Sequence, residues 1–459
     1  MSNDYSISKF FMEDLPSYAA YDGTRKIAQV WDGLKISMRK IIFTLQNKYP
    51  RDFVKTETLA NVCAAFTNYL HGAANLGGVC DTMAQSFVGA NNYPLITGNS
   101  GGFGTRIRPV CSANRYTRVS LSEITKRLFL DADNKILEQQ FFEGDYIEPK
   151  YFMPIFPVLF LNGSTGMSTA YAHNIFPRDP NEVISYIKKK LAGIERPRLE
   201  LAPWFKGFNG SIRKNEESGF YECVGVIERN NTTSYTIKEL PIGMEYDKYI
   251  EHLDKLCDDK VIIDYDDKCD TKKDNILFEI KTTREFTKKH EDIESLNKVF
   301  KLVKSLPENF TCIDENSRAK QFETIQDVLD NFIDIRLKFY QKRKDYLVEE
   351  IKNSLIKLAS KYYFVKGIVD GSIVVNKRKK DNIIEQLEKI DKIKQIDGSY
   401  DYLLQLQIFN LTHEKLDELK KQIEEGKEEY KKTKETSIQD MWLTDLRELQ
   451  KCLLRIDNA

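Results

Sequence analysis

Residues 112–119 read Ser-Ala-Asn-Arg-Tyr-Thr-Arg-Val, which puts Tyr116 directly after Arg115 and two residues before Arg118. A phenol titrates at about 10, so at neutral pH Tyr116 is a useful nucleophile only if neighbouring cations stabilise the phenolate and the charge building on the electrophile. Arginine stays charged and forks onto phosphate oxygens. The cluster Arg106, Arg108, Arg115, Arg118 therefore suits a phosphodiester better than an acyl group. The chemistry implied is attack of Tyr116 on phosphorus. Taken alone, the same residues also describe a surface helix with a packed tyrosine and solvated arginines, so the surroundings must decide.

The elements that must position Tyr116 change texture along the chain. From about Tyr18 to Leu130, short helical patterns alternate with glycine-rich loops such as HGAANLGG and GNSGGFG. From Tyr151 to about Ser305 come proline-punctuated runs, VLFLNGS, FYECVGVIE and TTSYTIKELP, that read as strands of a mixed domain. From Asp327 to Leu358 the apolar positions Val328, Phe332, Ile335, Phe339, Leu347, Ile351, Leu355 and Leu358 step mostly by three and four, predicting a long helix with an apolar seam. After the break GIVDGSIVVNKRKK and the apolar cluster YDYLLQLQIFNL, a second charged helix is predicted from His413 to about Lys434. Two long antiparallel helices with a small tip fit this order, and the tip, Leu403 to Leu411, is a candidate dimer contact that Ile368 to Val375 would cover only in part. The fold class is α+β, in three segments: 1–150, 151–320 and 321–459.

Composition bounds the function. At 459 residues, with 41% hydrophobic and 30% charged, the chain buries substantial cores. Lys+Arg and Asp+Glu balance at 69 each, so a polyanion site must come from local clustering. The 8 cysteines are scattered without a CxxC pair and read as reduced thiols. MSNDYSISKFFMEDL lacks the order of a signal peptide and no apolar run spans a membrane. The expectation is a soluble protein of the cytoplasm, or of a host cell's cytoplasm if the source is viral, with no membrane partner.

Motifs in order along nearly the whole chain resemble the DNA breakage and reunion region of type IIA DNA topoisomerases. TRKIAQVWDGLKISMRKIIF is similar to the family's amino-terminal signature, NYLHGAAN to its HHGE or HPHG element, and AQSFVGANNYPLITGNSGGFGTR to the stretch ending in GxFG(T/S)R. SANRYTRVS falls where the family keeps the (A/S)xRY of its catalytic tyrosine, and IEPKYFMPIFPVLFLNGSTGMSTAYAHNIFP resembles EPxxYLPxxPxxLxNGxxGIxxGxxxxIPP. PWFKGFNGSI, IKELPIG, IRLKFYQKRKDYL, YDYLLQLQIFNLT and SIQDMWLTDL resemble the eukaryotic and T-even phage branch.

The resemblance implies a winged-helix cleavage domain in 1–150, a tower domain in 151–320, and a coiled-coil with a dimer gate in 321–459. It implies that Tyr116 takes a 5′ phosphate, that Arg115 holds the scissile phosphate, and that Arg25 is a second cation. Lys35, Arg39 and Lys40 would contact backbone phosphates from the winged helix. Arg106 and Arg118 belong to the same DNA-facing set, and Met167 stands where the family places an isoleucine wedge between base steps. His71 matches the last histidine of its element and would lie near the phosphate, or is a core histidine, since Leu70 replaces the usual His or Pro. Ala73 and Ala74 replace the usual acidic residue and serine.

No metal site is expected in the chain. EGD, Glu143 to Asp145, resembles a Toprim element but reads as an acidic linker, and DYDDKCD, Asp264 to Asp270, reads as a solvated hairpin. Mg²⁺ and ATP would therefore be held by a separate large Toprim/ATPase subunit, as in the medium-subunit layout of T-even-like phage enzymes. The partners expected are that subunit, double-stranded DNA and a second copy of the chain, joined through the gate and the winged-helix domain. Two rival readings are a structural coiled-coil protein and a DNA-binding paralogue that has lost cleavage.

Overall fold

The structure is a computed structural model describing residues 6–272, 274–376, 378–396, 398–407 and 412–458. The chain forms two compact units, Met1–Arg336 with Asp445–Ala459, and Leu337–Thr444.

After a helical lead-in over residues 7–14, the first unit continues with helices α1 (Leu15–Lys26) and α2 (Ile36–Lys48), on either side of the DGLK loop. Strand β1 (Val54–Lys55), helices α3 (Thr56–Phe66) and α4 (Ala73–Ala84), and strands β2 (Ile96–Ser100) and β3 (Arg118–Leu121) follow. Leu59 and Cys63 on α3, and Leu76, Cys80 and Met83 on α4, are buried at helical spacing, and α2 contributes Ile41, Ile42 and Leu45. The strands form an antiparallel sheet in the order β1-β3-β2.

Two hairpins come next. Strands β4 (Gln139–Phe142) and β5 (Asp145–Pro149) are joined by Glu143 and Gly144, whose φ values of 50° and 93° are both left-handed, as a two-residue hairpin turn requires. EGD is thus a tight turn. Strands β6 (Ser164–Met167) and β7 (Ala172–Ile175) make the second hairpin. The run VLFLN before it, expected as a strand, is instead a short helix, Val158–Asn162. All four of its apolar residues are buried, and a continuous apolar run gives no period by which to separate a buried helix from a buried strand.

The middle of the unit is the mixed region expected. Strands β8 (Ser211–Lys214) and β9 (Tyr221–Val224) join a later strand in one sheet, while β10 (Val226–Arg229) and β11 (Ser234–Glu239) belong to another. Helix α5 (Tyr246–Asp258) buries Tyr249, Leu253 and Leu256 against that second sheet, which strands β12 (Asp264–Asp267) and β13 (Phe278–Lys281) complete in the order β10-β11-β13-β12. Tyr235 pairs with Ile280 and Ile237 with Phe278, so alternate residues share one buried face. The acidic run lies on β12, where Lys281 reaches Asp266 at 3.3 Å and Tyr265 donates to Asp254 at 2.6 Å. It is an exposed hairpin edge. Among the described residues no group of three or more His, Cys, Asp or Glu is placed to hold a metal ion, and no helix is long and apolar enough to cross a membrane.

Strand β14 (Val303–Leu306) closes the β8-β9 sheet, and β15 (Phe310–Ile313) pairs with β16 (Ala319–Phe322). Residues on both sides of position 150 lie in this unit and are joined by hydrogen bonds. Ile313 exchanges backbone hydrogen bonds with Ala28 and Val30 at 2.9 Å, and the Phe152 amide donates to Asp32 at 3.0 Å. Arg336 is fully buried and meets the buried Asp133 carboxylate at 2.7 Å while donating to the Met153 carbonyl at 2.9 Å.

Helix α6 (Ile325–Val369) carries the chain into the second unit, where α7 (His413–Glu435) runs antiparallel to it: Lys344 donates to Thr436 O, and Leu355 lies against Gly426. Helix α8 (Ile438–Asp457) brings the chain back to the first unit, and Trp442 stacks on Tyr340 with ring centroids 5.5 Å apart before it leaves the second. The lobe between α6 and α7 has its own core of Phe364, Ile373, Ile383, Leu387, Ile393, Tyr400 and Leu403. Leu403, from the cluster expected to be covered only in part, is fully buried there, and Leu404 and Leu406 pack against the core beside Ile368 and Val375. The remaining patch residues, Ile408, Phe409 and Leu411, lie outside the described residues.

Removing one partner of a buried ion pair strands the other charge at a cost of about 3–5 kcal/mol. Asp133→Ala is expected to lose stability of that order, read from the urea unfolding midpoint; a change below about 1 kcal/mol would show that Arg336 is satisfied without its carboxylate.

Candidate active site

The sequence KTET supplies no side-chain cap at the start of α3, and the helix takes its cap from the tyrosine turn. The amide of Thr56 donates to Thr117 O at 3.0 Å and that of Glu57 to Asn114 O at 3.2 Å. The buried hydroxyls of Thr117 and Thr56 meet at 2.7 Å. Within the turn, the Tyr116 amide donates to Ala113 O at 2.8 Å. Lys55 then pairs with Arg118, so β1 and α3 together grip the turn and the strand after it.

The glycine-rich loop grips it from the other side. Gly102 N donates to the Ser112 hydroxyl at 3.1 Å, and Ser112 N returns a bond to Gly102 O at 2.8 Å. Gly101 has φ +75°, and a Cβ there would sit 2.8 Å from Thr117 Cγ2 and 3.3 Å from Tyr116 O. The β2–β3 register shifts between Gly98 and Ser100, a bulge beside the turn.

On this locked turn Tyr116 is 63% exposed, and the Arg115 guanidinium lies 4.9 Å from its ring centroid. Arg118 is also exposed. An exposed phenol, a guanidinium beside its ring and a second exposed cation two residues on are together in one place.

Three of the cations expected on the DNA side are turned inward. Arg39 is buried and bidentate on the fully buried Asp32, at 2.6 and 3.2 Å, while Asp32 also accepts from Leu34 N and Phe152 N. Lys40 is buried between Glu148 at 2.8 Å and Thr67 O at 2.7 Å. The Arg106 side chain is buried against Glu239 and Leu240 O, and its amide donates to Asp274 at 2.7 Å. Burial without a partner carboxylate would be prohibitive for such charges, so these residues hold the platform together.

Arg25 and His71 form a second group. The Tyr21 hydroxyl and His71 Nε2 are 2.8 Å apart, Arg25 lies 5.7 Å from the Tyr21 ring, and Tyr69 meets the imidazole edge-on at 5.4 Å. His71 is exposed and is not a core histidine. Desolvation first, and then Arg25, lowers its pKa. These residues line a cavity of about 400 Å³ together with Lys150 and Glu315; Tyr116 does not line it.

Met167 stands at the end of the β6–β7 hairpin and is 77% exposed. Its mounting was not visible from sequence. Asp22 accepts from Thr169 N and Oγ1, both at 2.9 Å, and pairs with Lys26 at 3.0 Å, while Lys35 Nζ donates to Thr165 O at 2.7 Å. Lys35 is half-buried beneath the hairpin, and desolvation lowers its pKa. His173, buried in the hairpin with Nε2 2.8 Å from Ser164 Oγ, is pushed down to about 4 by burial and then by Lys35.

Residues 25–447 match the family model for the A subunit of DNA gyrase/topoisomerase IV. The chain is 31% identical to DNA topoisomerase 2 of Plasmodium falciparum over 490 residues, 98% of this chain and 34% of that protein. It is 31% identical to DNA topoisomerase 2 of Invertebrate iridescent virus 6 over 454 residues, 97% of this chain and 39% of that protein. It therefore spans a third to two fifths of these curated relatives. The crystal structure of the Plasmodium falciparum topoisomerase II DNA-binding, cleavage and re-ligation domain is similar with a TM-score of 0.89 at 31% identity, over 97% of this chain and 64% of that one.

Two outcomes test the inward charges. Arg39→Ala is expected to lose about 3–5 kcal/mol of stability while the affinity of the folded fraction for duplex DNA is retained; a large affinity loss with the melting midpoint unchanged would return Arg39 to the DNA face. His173 binds fewer protons folded than unfolded between its folded pKa of about 4 and its ordinary 6.5. Its contribution is thus complete above 6.5 and falls as pH drops toward 4, by up to about 1.4 kcal/mol per pH unit. His173→Gln should flatten the difference in urea stability between pH 7 and 5, and an unchanged difference would place the titration elsewhere.

Proposed function

The chain belongs to the family of DNA gyrase and topoisomerase IV A subunits, and from that premise we propose that it is the DNA-cleaving component of a type IIA topoisomerase with Tyr116 as its nucleophile. The observation that carries the reading is the exposed Tyr116 on a turn locked from both sides, with Arg115 against its ring. Tyr116 Oη attacks phosphorus. The tyrosine–phosphorus bond forms as the bond from phosphorus to the 3′ oxygen breaks, the phenolic proton passes to solvent, and the departing 3′ oxygen takes one up. The 5′ phosphate stays on Tyr116, and because one phosphoester replaces another, reversal reseals the strand without nucleotide hydrolysis.

In this reading Arg115 stabilises charge on the phosphate, Arg118 and the half-buried Lys35 line the path of the backbone, and Arg25 with His71 supplies a second phosphate contact. Met167, held out by Asp22 and Lys35, is the wedge that opens a base step. Residues 1–150 act as the winged-helix cleavage domain, 151–320 as the tower, and 321–459 as the coiled-coil and gate. One tyrosine cuts one strand, so a double-strand break takes two copies about a two-fold axis, joined through the gate and the region around Tyr116.

When bound, Mg²⁺ would supply electrostatic stabilisation of the phosphate oxygens, but the described residues offer no fitting acidic set. We assign it, with ATP, to a Toprim- and ATPase-bearing partner subunit, the arrangement of the T-even-like phage medium subunit. The complex would work in the cytoplasm that holds its DNA.

Tyr116→Phe deletes one oxygen. With the ATPase-bearing partner and Mg²⁺ present, it is expected to bind DNA as the wild type does and to form no denaturant-stable adduct; an adduct in the Phe variant would overturn the assignment.

A further inference from the structure

The stretch leading to Tyr116 lies along one face of α4. Gly77, Asp81 and Gln85 follow at four-residue intervals, so they stack on that face. Gln85 Nε2 donates to Pro109 O at 3.1 Å and lies 3.5 Å from Cys111 Sγ, whose thiol faces Phe103 O at 3.2 Å. The Asn114 carboxamide, oriented to satisfy both groups, donates to both carboxylate oxygens of Asp81 at 3.0 Å. Gly77 makes the room: a Cβ there would sit 2.1 Å from the far atom of the Asn114 carboxamide, its oxygen in this orientation.

Asp81 is half-buried, and burial pushes its carboxyl up to about 6. Above that pH it is ionised and acceptor-only, which is the form that takes two N–H groups from one carboxamide. A carboxylate close to a face that would meet phosphodiesters is electrostatically unfavourable for binding DNA, so binding does not explain it. Its contact does: Asn114 is two residues from Tyr116, and the Asn114 carbonyl is one of the two that cap α3.

We propose that Asp81 is a positioning residue for attack by Tyr116, acting through Asn114 in the slot opened by Gly77. The inference rests on the reading of Tyr116 as nucleophile. The backbone side of Asn114 fixes the turn to α3 and its side chain fixes it to α4, so the turn is held along two directions. Loss of the side-chain fastening leaves the turn held only by the α3 caps and the glycine-rich loop, and misplacement of the phenol by about 1 Å is enough to cost up to a hundredfold in rate.

The test is the single-turnover rate of covalent capture on a duplex whose downstream strand dissociates after cleavage, using the complex with its ATPase partner and measuring DNA affinity and melting midpoint in parallel. Asp81→Ala and Asn114→Ala should each slow capture about tenfold, and the double variant no further, because both remove one contact. Gly77→Ala should match them by filling the slot. Asp81→Asn, which keeps one acceptor for Asn114, should recover most of the rate. Affinity and melting should hold throughout; should Asp81→Ala melt early, Asn114→Ala, which empties the slot from the loop side, carries the test. Unchanged capture, losses that multiply in the double variant, or a fall that follows the melting midpoint would each overturn the proposal. If wild type forms an adduct that Tyr116→Phe abolishes, the functional reading stands whichever way these variants behave; no wild-type adduct overturns both.

Discussion

The start of α3 and the tyrosine turn complete each other. A helix leaves its first amide hydrogens without partners, and here the carbonyl oxygens of Asn114 and Thr117 accept from Glu57 and Thr56. The turn gains a rigid mount in exchange, since α3 packs with α2 and α4 through Leu59 and Cys63. Tyr116 is then presented outward because its neighbours point in: Thr117 is buried against Thr56, Val119 lies under the sheet, and Gly101 lets the loop press on the turn's other side. The side chain is thereby reduced to choosing its own rotamer, which is the preorganisation a nucleophile needs.

The distribution of charge follows from the same constraint. A surface that takes a polyanion needs cations, while the platform under it needs its polar groups satisfied. In this chain the two demands fall on different arginines and lysines. Arg115 and Arg118 are exposed, whereas Arg39, Lys40 and Arg106 are each bound to a buried carboxylate. Balanced totals of acidic and basic residues thus coexist with a pair of exposed arginines on either side of Tyr116.

How much of this was legible in the sequence depends on how far apart the partners lie. The long helices were legible because three- and four-residue steps are a local signal, and Asp327 to Leu358 and His413 to Lys434 are found within Ile325–Val369 and His413–Glu435. The motif around Tyr116 singled out one tyrosine for its neighbours, and the structure leaves that tyrosine exposed. The inward turn of Lys40 and Arg106 was not legible, because Glu148 and Glu239 are 108 and 133 residues away. Asp32 is only 7 residues before Arg39 and was the one signal available for that pair. The capping of α3 was invisible for another reason: backbone carbonyls accept those bonds, and any residue at 114 or 117 carries one. The helix at Val158–Asn162 was misread because burial on every side erases periodicity.

Whether Tyr116 carries the DNA through its phenolic oxygen is read by trapping the complex on a duplex labelled separately at each strand end, digesting the protein and sequencing the peptide that retains the nucleotide. The expected result is a single modified peptide containing Arg115 to Arg118, with the 5′ phosphate of the cleaved strand on Tyr116. Nucleotide recovered on any other residue, or linked through the 3′ end, would contradict it.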